Sequence, residues 1–205
     1  MKTYQKKFSR DEYLKNQIKR SESKFTYCKV GYRHVEEWFK IINDPKIKKI
    51  CCLGTRSGRE VDIFRFIFGD FILKKIVKYT EINRRGFNNL VPSILNYKRS
   101  DIKNFSDGLN VYGVEINPQA KRKDTLIASF DDLPENWNNK FDLLYSNSFD
   151  QSQDPSKTAN AWSKILKNQG YLIFSFTYDK LPTESDPVGG LKLENILDKF
   201  NGEII

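Results

Sequence analysis

The sequence predicts an α/β fold, a doubly wound and mostly parallel sheet with helices on both faces. The first of three observations is an apolar run over 49–53 that ends in a glycine-containing turn and leads into a helical pattern over 59–68. The second is that apolar runs alternate with helical patterns from residue 110 onward, which is typical of parallel sheets. The third is that polar residues follow the predicted strands, where ligands of such sheets bind.

Length and composition indicate one globular domain that is not membrane-bound. The chain has 205 residues, enough for a full apolar core. No apolar run reaches the length of a membrane span and no signal-peptide core is seen, so we expect a cytoplasmic protein. The net charge of +9 would suit a nucleic-acid partner, but Lys, Asn and Ile are abundant throughout, which favours a bias of composition. The three cysteines have no metal-ligand spacing, and we expect buried thiols and no metal.

The first 32 residues are basic and polar and predict a helical extension that lies on the domain. Ser9 and Glu12 have the spacing of a capping box, and a thin apolar stripe that includes Tyr13 follows them. A second, amphipathic helix around Val35 should end at Asn43-Asp44-Pro45. His34 stands at the head of this helix, where a surface or capping role is favoured over that of a base.

The main domain is predicted to span 33–205, with 49–53 as the central strand of its sheet. Gly69 is expected to cap the helix over 59–68. Residues 70–109 mix aromatic and basic residues and predict an insertion that covers one mouth of the domain. The later elements are expected as strands over 110–115, 125–128, 141–145 and 171–176, a helix that begins at Asp154-Pro155 and ends at Gly170, a helix over 191–200, and the start of a further strand over 202–205.

Four local motifs resemble the class I S-adenosylmethionine-dependent methyltransferases over residues 33–205. They are Leu53-Gly54-Thr55-Arg56-Ser57-Gly58, Gly113-Val114-Glu115, Asp132-Leu133-Pro134 and Leu166-Lys167-Asn168-Gln169-Gly170-Tyr171-Leu172-Ile173. The chain departs from the family where Arg56 stands at the middle glycine of the usual Gly-x-Gly-x-Gly turn. Ser129 stands where an Asp often contacts the adenine amine, so either Asp131 takes over this contact or the contact is weaker. The C-terminal edge of the Rossmann-like sheet is expected to be shortened.

The resemblance implies S-adenosyl-L-methionine as the cofactor. Gly54 to Gly58 would flank its methionine part, Glu115 would hold the ribose, and residues 129–131 would surround the adenine. Asn147 would face the cofactor from the fourth strand. The cofactor-binding residues implied in this way are Gly54, Thr55, Arg56, Ser57, Gly58, Glu115, Ile116, Ser129, Phe130, Asp131 and Asn147.

Two acids compete for the ribose position. Glu81 lies near the spacing of about 20 residues after Gly58 that is expected in dinucleotide-type folds, and Glu115 lies much farther along. Glu115 nevertheless ends an apolar strand, whereas the residues before Glu81 are too charged for a strand buried on both faces. We therefore predict that Glu115 holds the ribose.

The predicted function is in-line methyl transfer to a small-molecule or sugar-type acceptor, a reaction that depends chiefly on positioning. Asp150, just past the fourth strand, is the candidate base, with a loop or capping role as the alternative. A different class remains open, a basic nucleic-acid-binding module on a catalytically inactive methyltransferase fold that uses the lysines and arginines of 70–109. A nicotinamide enzyme is disfavoured because the Gly-x-Gly-x-x-Gly fingerprint is missing. The sequence leaves the oligomeric state open.

Overall fold

A computed structural model describes residues 2–3, 9–25, 27–69, 109–200 and 202–205 of the chain. The predicted insertion, apart from its last residue, lies outside the described residues, and so does Glu81. The described strands are β1 (Lys2–Thr3), β2 (Lys49–Leu53), β3 (Asn110–Glu115), β4 (Thr125–Ile127), β5 (Phe141–Ser146), β6 (Leu166–Phe174) and β7 (Val188–Gly189). The described helices are α1 (Arg10–Ser23), α2 (Tyr32–Ile42), α3 (Arg59–Phe68), α4 (Pro155–Ile165) and α5 (Leu193–Leu197).

Five of the strands form one parallel sheet in the order β4-β3-β2-β5-β6. β2 is its central strand, because Ile50 pairs with Val111 of β3 on one side and with Leu143 of β5 on the other. The chain therefore builds one half of the sheet outward from β2 and then returns to build the other half, which is the doubly wound arrangement. The predicted fold class and central strand are confirmed.

The sheet separates two apolar clusters. Alternate residues of β2 point to opposite faces, so Ile50 and Cys52 join the cluster under α2 and α3, while Cys51 and Leu53 join the one under α4. Trp162 of α4 is fully buried in the second of these clusters. All three cysteines are free and buried, which confirms their predicted role.

The predicted helix ends are largely confirmed. Ser9 and Glu12 form the capping box that opens α1. His34 Nδ1 accepts a hydrogen bond of 3.1 Å from the Gly31 amide, so this histidine caps α2. Asp154 accepts hydrogen bonds from two amides in the first turn of α4. The α3 helix ends at Phe68 with Gly69 as its cap, as expected.

The C-terminal third differs from the prediction. α4 ends at Ile165 and not at Gly170, because Leu166 already pairs with Phe141 of β5 and the chain turns at Gln169, whose φ is 62°. β6 therefore spans Leu166–Phe174 with a register shift in its pairing.

Two further predictions near the C-terminus differ from the structure. The predicted helix over 191–200 is shorter than expected, because α5 covers only Leu193–Leu197, and Leu193 is 46% exposed. Residues 202–205 are not a strand, so β6 is the edge of the described sheet. None of the helices in the described ranges is long and apolar enough to span a membrane.

Candidate functional site

The turn after β2 brings the backbone close to the neighbouring strand ends. The Gly54 amide donates a hydrogen bond of 2.8 Å to the Val114 carbonyl of β3. Gly54 has a φ of 81°, and a Cβ atom at this position would lie 2.6 Å from Ser148 Oγ. Only glycine fits such a left-handed and crowded position, so the turn forms a tight floor between the ends of β3 and β5.

Arg56 occupies the same turn in a conformation that glycine adopts at lower cost. Its φ is 47°, which agrees with its place at the middle glycine of the resembled pattern. Its guanidinium lies 5.3 Å from the centre of the Tyr27 ring, outside the turn, where a cation–π contact stabilises it. Its amide donates a hydrogen bond of 2.6 Å to Glu115 Oε2. The arginine therefore does not block the turn.

Arg122 supports the end of this turn and was missed by sequence reasoning. Its Nη1 atom donates to the Ser57 and Gly58 carbonyls at 3.1 and 2.9 Å. Burial opposes its charge, but hydrogen bonds to Asp62 and Asp124 outweigh that effect and raise the pKa of Arg122. The residue follows β3 by several positions and carries no local signal of this contact.

Glu115 ends β3 as a buried carboxylate whose side chain contacts three donors. Its Oε2 accepts from the Arg56 amide, and its Oε1 accepts from the Asn117 amide at 3.1 Å and from Ser21 Oγ at 3.0 Å. The residue is 4% exposed. The Arg56 amide lies in the turn after β2 and the Asn117 amide lies just after β3, close to the predicted strand ends. The Ser21 hydroxyl comes from the N-terminal helix α1.

The loop after β4 holds the three residues expected around an adenine. The Phe130 ring packs edge-on against Trp162 at 5.7 Å, and Trp162 Nε1 donates a hydrogen bond of 3.0 Å to the Phe130 carbonyl. Asp131 is held by both terminal nitrogens of Arg10 at 3.1 Å and by the Ser129 hydroxyl. Burial opposes its charge, but these bonds lower the pKa of Asp131.

A cavity of about 470 Å³, including its open mouth, lies between these strand ends and α1. The predicted site residues that line it are Gly54, Arg56, Glu115, Ile116, Ser129 and Phe130. The other five predicted site residues do not line it: Thr55, Ser57, Gly58, Asp131 and Asn147.

The inner face of α1 forms the other wall of the cavity. Tyr13, Gln17 and Ser21 lie one helical turn apart and are all buried, and together with Arg20 they line the cavity. The sequence predicted a helix that lies on the domain but gave no place for it. The only signal was the spacing of these residues, and two of the three are polar, so they do not stand out as a buried stripe.

Asp150, the candidate base, does not line the cavity. It follows Phe149 in a short 3-10 helix after β5, and its Oδ2 lies 3.7 Å from Lys180 Nζ. Burial, with a smaller effect from Asp186, raises the pKa of Asp150. Its Oδ1 is buried and accepts no hydrogen bond from the described part of the chain. Asn147, also predicted here, accepts a hydrogen bond of 2.9 Å from Ser148 Oγ.

A further carboxyl group lies inside the fold near the same turn. Glu60, in the first turn of α3, is 2% exposed, and burial raises the pKa of its carboxyl to about 7. Its Oε2 has no hydrogen-bond partner among the residues that the structure describes. A group of three or more side chains able to hold a metal ion is not found within those same ranges.

Comparisons with known proteins give a distant structural likeness. No protein-family model matches the chain, and no curated protein matches it. Among solved structures, the chain is similar to the crystal structure of a SAM dependent methyltransferase from Aquifex aeolicus, with 14% sequence identity and a TM-score of 0.47. That match covers 94% of this chain and 87% of the other. The fold described above follows from the strand order itself and needs no support from this match.

Proposed function

We propose that the chain binds S-adenosylmethionine in the cavity at the carboxyl ends of β2, β3 and β4 and transfers its methyl group to a small molecule. The observation that carries the proposal is the position of Glu115. It is a buried carboxylate at the end of the strand next to the glycine turn, on the ligand-binding edge of a doubly wound sheet.

The residues around the cavity fit the parts of this cofactor. Gly54 presents backbone without a side chain, as a close approach of the methionine part requires. Glu115 would accept the ribose hydroxyls, and the fixed ring of Phe130 offers an apolar face to the adenine. These three parts follow one another along the strand ends, in the order that an extended nucleoside needs.

When bound, S-adenosylmethionine supplies an electrophilic methyl group on its sulfonium. The residues of the chain then have to hold the acceptor in line at near-attack distance, which can provide much of the acceleration. Ser148 and Gln151, which follow β5, line the same cavity and offer polar groups to a hydroxylated acceptor. These side chains support a small polar acceptor of sugar type.

A hydroxyl acceptor would have to lose a proton, and we propose Asp150 as the group that takes it. Burial raises the pKa of Asp150, which makes its carboxylate a stronger base. Asp150 stands next to Gln151, which lines the cavity. Asp150→Asn is expected to lower turnover and to leave cofactor affinity unchanged. A loss of affinity with unchanged turnover would contradict this role.

Titration calorimetry with S-adenosylmethionine, S-adenosylhomocysteine and NAD tests the binding proposal. We expect binding of the first two and not of NAD. Glu115→Gln keeps the size of the side chain and removes its charge, so it should weaken binding about tenfold or more, since charge-assisted hydrogen bonds are worth about 1.5–3 kcal/mol.

Asp132→Asn is the matched control, because Asp132 is an exposed acid at the same edge of the sheet. It should bind like the unaltered chain. Thermal unfolding of both variants checks that the fold is intact, which matters because Glu115 also accepts two backbone amides. Tighter binding of NAD, or equal affinity in the folded Glu115→Gln variant, would refute the proposal.

A further inference from the structure

Helix α1 crosses the whole ligand-binding edge and contacts it mainly through polar groups. Arg10 reaches the loop after β4, and Tyr13 Oη donates a hydrogen bond of 2.6 Å to the Gln151 carbonyl after β5. Gln17 Nε2 donates to the Ser185 carbonyl at 2.9 Å, and Arg20 pairs with Asp186. Neither apolar cluster of the described residues includes a side chain from α1.

Two contacts of α1 use acids at the proposed cofactor site: Ser21 contacts Glu115 at the ribose position, and Arg10 contacts Asp131 in the loop expected around the adenine. The Oε1 atom of Glu115 already accepts from Asn117 and Ser21, and its Oε2 accepts from Arg56. A carboxylate has about four acceptor positions, so a single one is left for a ribose diol that donates two hydrogen bonds. The Ser21 hydroxyl therefore occupies a position that the second ribose hydroxyl needs.

The same conflict exists at the adenine end of the cavity. Both oxygens of Asp131 are engaged by the guanidinium of Arg10. An adenine amine that donates to this carboxylate would have to displace one of these bonds. The Arg10 side chain is 40% exposed while that of Asp131 is 5% exposed, so the arginine can leave toward solvent and the acid stays in place.

We infer that α1 is an autoinhibitory cover, in which Arg10 and Ser21 compete with the nucleoside of the cofactor for Asp131 and Glu115. The cofactor binds when these two contacts open, and the closed cover lowers its apparent affinity. The inference rests on the proposed function, because it needs a nucleoside at these two acids. The N-terminal helix α1 then sets the fraction of the protein that is able to bind the cofactor.

The experiment measures the affinity of the full-length chain for S-adenosylhomocysteine by calorimetry. Arg10→Gln and Ser21→Ala each remove one competing contact, so each should tighten binding about three- to tenfold. Lys15→Gln is the matched control, because Lys15 lies on the exposed face of α1 and its change removes the same charge. This control should bind like the unaltered chain.

Hydrogen exchange of the α1 amides gives a second readout. Exchange in α1 should rise in Arg10→Gln without ligand, and it should rise in the unaltered chain when S-adenosylhomocysteine is added, while exchange in α3 stays the same. Weaker or unchanged affinity in both variants would overturn the inference and leave the proposed function standing. If neither the unaltered chain nor the variants bind S-adenosylhomocysteine, the proposed function fails and the cover has no nucleoside to exclude.

Discussion

Helix α1 lines the cavity and helix α3 begins at the end of the glycine turn, but the two are attached to the sheet by different interactions. α3 buries an apolar face, in which Val61, Phe64 and Ile67 are fully shielded from solvent. The buried side chains of α1 are Tyr13, Gln17 and Ser21, and two of them are polar. Apolar burial is non-directional and grows with area, whereas each contact of α1 depends on one donor and one acceptor.

The comparison separates the permanent scaffold of the site from its removable cover. Separation of α3 from the sheet would expose the apolar core, and its free-energy cost is as large as that of unfolding the domain. Separation of α1 mainly replaces hydrogen bonds within the protein by hydrogen bonds to water. The net free-energy cost for each hydrogen bond is small. A helix attached in this way can open on its own while the sheet and α3 remain folded.

The largest expected effect is that of Phe64→Ala in α3. Phe64 is fully buried and packs against Trp38 and Tyr145, so its truncation leaves a cavity and should lower the free energy of unfolding by about 3–5 kcal/mol. Denaturant unfolding measures this loss. Leu14→Ala, a truncation on the half-buried side of α1, should cost no more than about 1 kcal/mol. Equal losses in the two helices would remove the distinction between scaffold and cover.

The next largest effect is a pH dependence of the free energy of unfolding, caused by Glu60 in α3. Burial raises the folded pKa of Glu60 from its ordinary value of 4.5 to about 7, so between these pH values the folded chain binds more protons than the unfolded chain. The free energy of unfolding should therefore fall as pH rises through this window, by up to about 3 kcal/mol.

Glu60→Gln is neutral at all pH values and should remove this slope. The measurement is denaturant unfolding at intervals from pH 5 to 8, with Glu37→Gln on the exposed face of α2 as the control that keeps the slope. A slope that survives in Glu60→Gln would mean that other groups cause it. The ion pairs of α1 play no part in this window, because hydrogen bonds from Arg10 and Arg20 outweigh burial and lower the pKa of Asp131 and of Asp186.

The scaffold could be predicted from the sequence because its signals are local. The apolar run of β2, the glycine turn and the stripe of α3 lie within about twenty consecutive residues, and the pairing of β2 with both neighbours follows from burial on two faces. The position of Glu115 at the end of β3 was predicted in the same way, since an apolar run leads up to it. Gly170 misled the prediction because pairing of Leu166 with Phe141 ends α4 earlier than a glycine cap would.

The contacts of α1 and the support that Arg122 gives to the glycine turn could not be predicted, because these contacts join distant parts of the chain. Arg10 and Asp131 are 121 positions apart, and Arg122 lies 64 positions from Gly58. Charged and polar residues of this kind are normally assigned to solvent, since nothing in their neighbourhood marks them as buried. The sequence indicated that α1 lies on the domain but could not indicate where.

A smaller effect is expected from Tyr13→Phe, which deletes a single hydroxyl from the buried face of α1. The change leaves the Gln151 carbonyl without its partner at 2.6 Å and should lower the free energy of opening α1 by about 1 kcal/mol. Hydrogen exchange should show about fivefold faster exchange in α1 and no change in α3. Faster exchange in both helices would mean that α1 opens only when the whole domain unfolds.

The smallest effect is expected from Asn16→Ala, at the exposed edge of α1. Asn16 Nδ2 donates to Glu184 Oε1 at 3.3 Å, and because this contact is in solvent, water replaces it with little loss. We expect less than about 0.5 kcal/mol, so exchange in α1 should stay within about twofold of the unaltered chain. Tyr13→Phe is the reference, since each variant removes one hydrogen bond from the same helix. If Asn16→Ala speeds exchange in α1 as much as Tyr13→Phe does, the stability of the closed helix depends only on how many hydrogen bonds it makes. The buried contacts at its inner face would then contribute no more than the exposed ones.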